Sequence, residues 1–150
     1  RRRRPGRDHS EASRGRRLSV LDASAVSEII LRRPLARAAE SHVFREPRAA
    51  AAPDLLNAEV LHVVRRKERE REIDAARSHE AIDDLKVLPI ARYPTIALLD
   101  RAWRLRQNFT GYDAMYVALA EALETPLVTM DERLAAAARI HATIEVVLLK

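Results

Sequence analysis

The sequence predicts an α/β domain in which helices cover both faces of a mostly parallel central sheet. Short apolar, β-prone segments alternate with longer segments whose apolar residues recur every three to four positions. That alternation is typical of strand–helix–strand units, whose strands run parallel. The chain has 150 residues, 47% of them hydrophobic, which suits one domain with a core of its own.

The first half of the domain begins with a predicted strand at residues 18–21, which are short and apolar. A helix at 24–31 follows because its apolar residues have helical spacing. Pro34 suits the first turn of a second helix at 34–42, since that position leaves an N–H unpaired in any case. Four consecutive alanines indicate a strand at 49–52, and an amphipathic pattern predicts a helix at 54–67.

The second half continues the alternation. A charged helix at 70–85 precedes an apolar run that predicts a buried strand at 86–90, and a helix is expected at 95–107. Thr110 is a suitable N-cap for a helix at 111–123, with Asp113 where a capping box has Glu. The remaining predicted elements are a strand at 126–130, a helix at 132–139 and a strand at 143–149.

The positive charge is concentrated at the N-terminus. The chain carries a net charge of +5. Residues 1–17 contain eight Arg against Asp8 and Glu11, a net of +6, so the remainder carries −1. A segment so poor in apolar residues is expected to be disordered and to bind phosphates only in a salt-sensitive manner. We interpret residues 1–17 as a disordered Arg-rich extension that need not be native, and residues 18–150 as a single domain.

Composition also excludes several classes of site. The chain has no cysteine, which excludes disulfides, thiolate zinc sites and cysteine nucleophiles. The five histidines have no metal-binding spacing such as His-Glu-x-x-His. No apolar run approaches the roughly 20 residues that cross a bilayer. We therefore expect a cytoplasmic protein with no membrane association.

Four acidic residues stand apart because each lies within an apolar stretch. They are found in Leu-Ser-Val-Leu-Asp22, Leu-Leu-Asn-Ala-Glu59-Val-Leu, Tyr-Asp113-Ala-Met-Tyr and Leu-Val-Thr-Met-Asp131. Ligands of open α/β sheets bind at the carboxyl ends of strands, where Asp22 and Asp131 fall. Glu59 and Asp113 fall in or near the first turns of helices, so we expect all four to meet at one edge of the sheet.

A cluster of carboxylates repels itself, and it repels a polyanion, unless a divalent metal reverses the local charge. Mg²⁺ is typically held by one or two carboxylates, several waters and a substrate phosphate. The cluster therefore predicts Mg²⁺- or Mn²⁺-dependent hydrolysis of phosphodiester bonds. Ordinary alternatives remain for each residue: Asp22 and Asp131 as helix N-caps, Asp113 as a cap partner, and Glu59 as an ion-pair partner of Arg65 or Arg66.

Four segments resemble the PIN-domain nucleases and, among them, the VapC toxins of bacterial toxin–antitoxin pairs. They are Val-Leu-Asp22-Ala-Ser24, Pro-Asp-Leu-Leu-Asn-Ala-Glu59-Val, Thr-Gly-Tyr-Asp113-Ala-Met-Tyr-Val-Ala-Leu-Ala and Pro-Leu-Val-Thr129-Met-Asp131-Glu-Arg-Leu. The resemblance covers about residues 18–149 and implies a PIN-like three-layer fold. The Arg-rich extension departs from the family, whose toxins begin almost directly at the first strand.

The resemblance also implies a site and an activity. Asp22, Glu59, Asp113 and Asp131 correspond to the family's acidic metal site, with Asp22 and Asp113 as direct metal ligands. Ser24 and Thr129 resemble accessory hydroxyls that orient a carboxylate or a water. The implied activity is that of a divalent-metal-dependent endoribonuclease with an RNA substrate. The implied partners are a second copy in a homodimer and a cognate VapB-like antitoxin.

Two other functions compete with this interpretation. An aspartyl phosphotransfer domain of the haloacid-dehalogenase type needs a second Asp two residues after the nucleophile, where this chain has Ser24. A non-catalytic α/β binding module is the other alternative. Trp103, Tyr112 and Tyr116 could stack on bases or fill a dimer interface, although the i, i+4 spacing of the two tyrosines favours core packing. Arginines that could line a phosphate groove, or serve only as cations near helix C-termini, are Arg65, Arg66, Arg101, Arg104 and Arg106.

Overall fold

A computed structural model describes residues 18–45 and 49–150. The predicted extension at residues 1–17 lies outside the described residues. Within them, five strands form one sheet in the order β3-β2-β1-β4-β5. The strands are β1 (Ser19–Leu21), β2 (Ala50–Pro53), β3 (Ile90–Tyr93), β4 (Leu127–Thr129) and β5 (Val146–Leu148).

All four strand pairings are parallel, so the sheet is fully rather than mostly parallel. At its centre, Val20 of β1 pairs with Ala51 of β2 on one side and Leu127 of β4 on the other. Every residue of β1, β2 and β4 is buried. Burial on both faces explains why these strands are continuous apolar runs instead of alternating polar and apolar residues.

Seven α-helices occur among the described residues. They are α1 (Ala23–Ile30), α2 (Ala36–Val43), α3 (Leu55–Arg69), α4 (Ala75–Val87), α5 (Leu99–Arg104), α6 (Gly111–Ala122) and α7 (Glu132–His141). Crossovers between parallel strands are right-handed as a rule, and with this strand order the rule puts α1–α4 on one face of the sheet and α5–α7 on the other. The contacts agree, because α1–α4 pack against one another and α5 packs against α6. The three-layer α/β class is therefore confirmed. None of the helices in this part of the chain is long and apolar enough to cross a membrane.

The largest differences from the predicted elements lie around β3. Helix α4 begins at Ala75 and not at residue 70, because Asp74 accepts a 2.8 Å hydrogen bond from the N–H of Arg77 and caps the helix there. The helix continues through Val87, and β3 starts only at Ile90. The predicted helix at 95–107 is divided into a 3₁₀ turn (Thr95–Leu98) and α5.

The strand order locates a crevice at the carboxyl edge of the sheet. From central β1 the chain moves to β2 and β3 on one side, and then crosses back to β4 and β5 on the other. The helices that follow β1 and β4 therefore leave the sheet toward opposite faces. Such a switch point is where open α/β sheets bind ligands. Asp22 and Asp131 follow the two strands that border it.

Candidate active site

Asp22 is buried at the switch point, with only 5% of its surface exposed. Its Oδ1 accepts hydrogen bonds from the Ser24 hydroxyl at 2.6 Å and from the N–H of Ala25 at 3.0 Å. Its Oδ2 accepts a hydrogen bond from the Thr129 hydroxyl. The bond from Ala25 caps α1, as expected for an Asp N-cap. The two hydroxyl donors go beyond capping and fix the carboxylate in one orientation.

Thr129 and Ser24 join the ends of β1 and β4. Thr129 is fully buried, and its oxygen accepts a 2.9 Å hydrogen bond from the N–H of Asp131. The Ser24 oxygen accepts a 2.9 Å hydrogen bond from the N–H of Met130 and lies 3.4 Å from the Thr129 hydroxyl. Both hydroxyls thus have the carboxylate-orienting position that the resemblance implied.

Asp131 is exposed and serves as the N-cap of α7. Its Oδ1 accepts hydrogen bonds from the N–H groups of Arg133 at 2.8 Å and Leu134 at 3.1 Å. The ordinary interpretation of Asp131 as a helix cap is therefore confirmed. Its negative charge nevertheless raises the pKa values of both Asp22 and Asp113, so it lies within electrostatic range of the other acids.

Asp113 and Glu59 approach from helices. Thr110 caps α6 by accepting a 3.1 Å hydrogen bond from the N–H of Asp113, which confirms the predicted cap. Glu59, in the second turn of α3, is half-buried. Its Oε2 accepts a 2.6 Å hydrogen bond from the Tyr116 hydroxyl, and it forms no ion pair with a described arginine. The ion-pair interpretation of Glu59 is therefore wrong.

Burial and mutual repulsion raise the pKa values of three of these acids. For Asp22, Glu59 and Asp113, burial is the main cause of the raised pKa. Hydrogen bonds from Ser24, Thr129 and Ala25 partly offset it at Asp22. The charges of Asp22 and Asp113 raise the pKa of Glu59 further. Each acid thus interacts with at least one other, and the fold brings the four into one electrostatic cluster.

The donor set of this acid cluster suits a hard divalent cation. All its ligand atoms are oxygens, which Mg²⁺ and Mn²⁺ prefer. Among the residues that the structure describes, no Lys, Arg or His forms an ion pair with any of the four acids. In the same described ranges, however, no three acidic or histidine side chains form a ready-made metal ligand set. The chemistry therefore fits a metal, while the assignment of ligands stays a prediction.

A groove of about 720 Å³ adjoins the acid cluster between α1 and α3. We refer to it as the α1–α3 groove. Ser24 and Glu59 line it on the side of the cluster, and His62 and Arg66 follow Glu59 along the same face of α3. At 1.5 Å per residue, Arg66 lies about 10 Å along the helix from Glu59. The rest of the lining is mixed: Ala23, Ser27, Glu28, Leu31, Arg33, Leu55, Ala58, Val63, Lys67, Tyr112 and Met130.

Only some of the candidate RNA-contacting residues line the α1–α3 groove. Arg66 lines the groove and its neighbour Arg65 does not. Arg101 is held by Glu121 in two hydrogen bonds of 2.6 and 3.0 Å, so it is paired within the fold. Tyr112 is 63% exposed and lines the groove, whereas Tyr116 is 2% exposed. Core packing is therefore confirmed for Tyr116 and wrong for Tyr112.

Residues 19–140 match the sequence profile of the PIN domain. This match covers both strands that border the switch point and all four acids. The chain belongs to the PIN-domain family. Ribonuclease VapC1 of Mycobacterium tuberculosis (strain ATCC 25618 / H37Rv) is a relative with 40% identity over 129 residues. Those residues are 85% of this chain and 96% of that protein.

Solved structures share the PIN fold. The sarcin-ricin loop cleaving toxin VapC20 of Mycobacterium tuberculosis has a TM-score of 0.60 at 12% identity, covering 79% of this chain and 94% of that one. VapBC2 from Rickettsia felis, bound to a DNA fragment from its promoter, has a TM-score of 0.61 at 11% identity, covering 89% and 99%. At these identities the two similarities establish the fold alone.

Sequence reasoning missed one contact of the PIN domain's acid cluster, the hydrogen bond between Tyr116 and Glu59. The two residues are separated by 57 positions, and no local pattern pairs them. The signal that was available is a tyrosine in the apolar stretch of α6, because a buried Tyr hydroxyl usually has a hydrogen-bond partner.

Proposed function

We propose that this PIN-domain protein is a divalent-metal-dependent endoribonuclease and the toxin of a VapBC-type toxin–antitoxin pair. The observation that carries the proposal is the acid cluster at the switch point. Burial and repulsion raise the pKa values of three of its carboxyl groups, and none is paired with a cation among the described residues. Keeping such charges in a fold is costly. A catalytic role for the cluster explains why the chain carries them.

In this proposal Asp22 and Asp113 would hold Mg²⁺ or Mn²⁺, and Asp131 would add negative charge nearby. When bound, such an ion supplies positive charge beside the scissile phosphate and lowers the pKa of a water molecule. The hydroxyls of Ser24 and Thr129 keep Asp22 in one orientation before substrate arrives. Preorganisation of this kind reduces the rearrangement needed at the moment of reaction.

Glu59 is proposed to accept a proton from the attacking water. The water oxygen forms a bond to phosphorus, one P–O ester bond of the RNA breaks, and the leaving oxygen takes a proton from solvent. Burial raises the pKa of Glu59 above its ordinary value, which makes the carboxylate a better proton acceptor than a solvated glutamate. Its place on the wall of the α1–α3 groove supports this role.

The α1–α3 groove is proposed to bind the RNA strand next to the scissile bond. Arg66 and His62 are the cationic or ionisable groups that follow Glu59 on the same helix face. A guanidinium suits a phosphate because its donors match the phosphate oxygens in pairs. Exposed Tyr112, also on the groove wall, supplies an aromatic face on which a base can stack.

The proposal includes two protein partners. A VapB-like antitoxin is suggested by the VapBC2 structure, because this chain shares the fold of one chain in it. A homodimer is supported by exposed apolar side chains at positions 96, 99 and 103, the last being Trp103 with 68% of its surface exposed. Sedimentation should show a dimer, and Trp103→Glu should shift it to a monomer. A cytoplasmic location follows from the proposed RNA substrate and stays a prediction.

RNA cleavage by the purified protein tests the proposal. With Mn²⁺ present, we expect cleavage that EDTA abolishes and that falls more than about a hundredfold in Asp113→Asn, because metal stabilisation of charge in the transition state is worth several kcal/mol. Asp100→Asn is the matched control, since Asp100 is exposed in the first turn of α5 and outside the acid cluster. Cleavage that survives both EDTA and Asp113→Asn would rule out the proposal. Metal binding without cleavage would favour a binding module.

A further inference from the structure

We propose that Tyr116 is a positioning residue that holds the Glu59 carboxylate at the acid cluster. This inference rests on the proposed function, because it assigns Tyr116 a role through Glu59. The Tyr116 hydroxyl donates a 2.6 Å hydrogen bond to Oε2 of Glu59. Tyr116 lies three residues after Asp113 on α6, which places the two residues on neighbouring turns of one helix. The helix that carries one candidate metal ligand therefore also holds the candidate base.

The hydrogen bond joins two layers that otherwise have little contact. Helix α3, which carries Glu59, packs mainly against α1 and α4. Helix α6, which carries Tyr116, lies on the opposite face and packs against α5, β1 and β2. Because α3 and α6 share little packing, the Tyr116–Glu59 bond is a specific link between them at the site. It sets where Glu59 lies relative to Asp113.

Tyr116 is suited to holding a carboxylate in one place. Its ring is fixed in the core, with 2% of the residue exposed, so the hydroxyl has little freedom to move. Burial and the neighbouring carboxylates raise its pKa, so it remains a neutral donor at physiological pH. The bond occupies only Oε2 of Glu59, and no described residue donates to Oε1. One oxygen is thus anchored while the other remains available for water.

The bond matters for catalysis because a free Glu59 side chain can adopt several rotamers. Immobilising a long side chain costs conformational entropy, and the fold meets that cost before substrate binds. Without the hydroxyl, Glu59 should spend less time at the position where it can take a proton. We therefore expect loss of the bond to reduce kcat. KM should stay nearly unchanged, because neither Arg66 nor His62, the groove residues proposed to bind RNA, takes part in the bond.

The test uses Tyr116→Phe, which removes the hydroxyl and keeps the ring. Relative to the wild-type protein we expect kcat for RNA cleavage to fall at least about tenfold, with KM within about twofold, as is typical for loss of a partner that orients a catalytic group. Tyr93→Phe is the matched control, because it removes the same atom from a tyrosine of β3 outside the acid cluster. It should leave both constants unchanged. Thermal unfolding of both variants monitors the fold.

A double-mutant cycle with Glu59→Gln separates positioning from a general structural effect. If Tyr116 acts through Glu59, Tyr116→Phe should change neither kcat nor the manganese affinity further in the Glu59→Gln background. Manganese affinity is measured by calorimetry without RNA and should be unchanged in Tyr116→Phe, because Glu59 is not one of the two proposed metal ligands. Additive effects in the cycle, or wild-type kcat in Tyr116→Phe, would overturn the inference while leaving the nuclease proposal standing. A wild-type protein that neither binds manganese nor cleaves RNA would overturn both.

Discussion

Replacement of Thr129 by valine tests whether the structure holds Asp22 as a charged, preorganised carboxylate. Valine has nearly the volume of threonine, so the fully buried site keeps its packing and loses only the hydroxyl. That hydroxyl donates to Oδ2 of Asp22 and accepts from the N–H of Asp131. A hydrogen bond to a charged group contributes about 1.5–3 kcal/mol, and one between neutral groups about 1 kcal/mol. Thr129→Val should therefore reduce the free energy of unfolding by about 3 kcal/mol.

For a domain of this size, each kcal/mol changes the Tm by about 2–4 °C. We expect the Tm of Thr129→Val, measured by circular dichroism at pH 7, to be about 6–12 °C below the wild-type value. Thr125→Val is the matched control, because Thr125 is also buried but its hydroxyl donates to a neutral group, the carbonyl of Leu18. Loss of that single neutral bond should lower the Tm by only about 2–4 °C.

The charge of Asp22 adds a dependence on pH. Loss of the Thr129 donor raises the pKa of Asp22 further, because that hydrogen bond lowers it in the wild-type protein. When folding raises the pKa of a carboxyl group, the free energy of unfolding of the protein falls as the pH rises through the raised pKa. The difference in Tm between wild type and Thr129→Val should therefore be larger at pH 7 than at pH 4. A Tm within 2 °C of wild type at pH 7, or an equal deficit at both pH values, would refute this account of Asp22.

Three further variants test other parts of the account. Asp22→Asn should unfold at a higher temperature than wild type at pH 7, because burial raises the pKa of Asp22, and the gain should disappear near pH 4; a lower Tm at pH 7 would contradict this. Arg66→Gln should raise KM and reduce the slope of log KM against log salt concentration by about 0.7, because one phosphate contact is lost. Arg65→Gln is the control, since Arg65 lies outside the groove, and it should change neither KM nor the slope. Deletion of residues 1–17, which carry a net charge of +6, should weaken RNA binding at low salt and retain cleavage; lost cleavage would show that the segment serves the site.

The alternation of strands and helices was predictable because each element has a local pattern. The predicted strands at 18–21 and 126–130 contain β1 and β4, since both are short apolar runs with few competing interpretations. The run at 86–90 was ambiguous, because an apolar stretch can be a buried strand or the end of an amphipathic helix. Here Lys86 and Val87 continue α4. Arg92 then donates hydrogen bonds to the carbonyls of Leu85 and Ile90 and joins the helix end to β3.

The candidate site was predictable to the extent that its residues follow strands or begin helices. Asp22 and Asp131 directly follow two strands, and the parallel order brings those strand ends together. The partner of Glu59 was not predictable, because it depends on how two helices from opposite layers meet beyond the sheet edge. The different environments of Tyr112 and Tyr116 likewise depend on tertiary packing, since both residues lie on one helix with the spacing of a core pair.

Manganese binding, measured by isothermal titration calorimetry on residues 1–150, tests the central claim that the acid cluster is a metal site. We expect saturable binding to the wild-type protein at neutral pH. Asp22→Asn and Asp113→Asn should each weaken it at least about tenfold, because each removes a charged ligand and little volume. Asp74→Asn, which alters the exposed N-cap of α4, should bind manganese as the wild type does. Equal affinity in all four proteins, or no binding to the wild type, would contradict the claim.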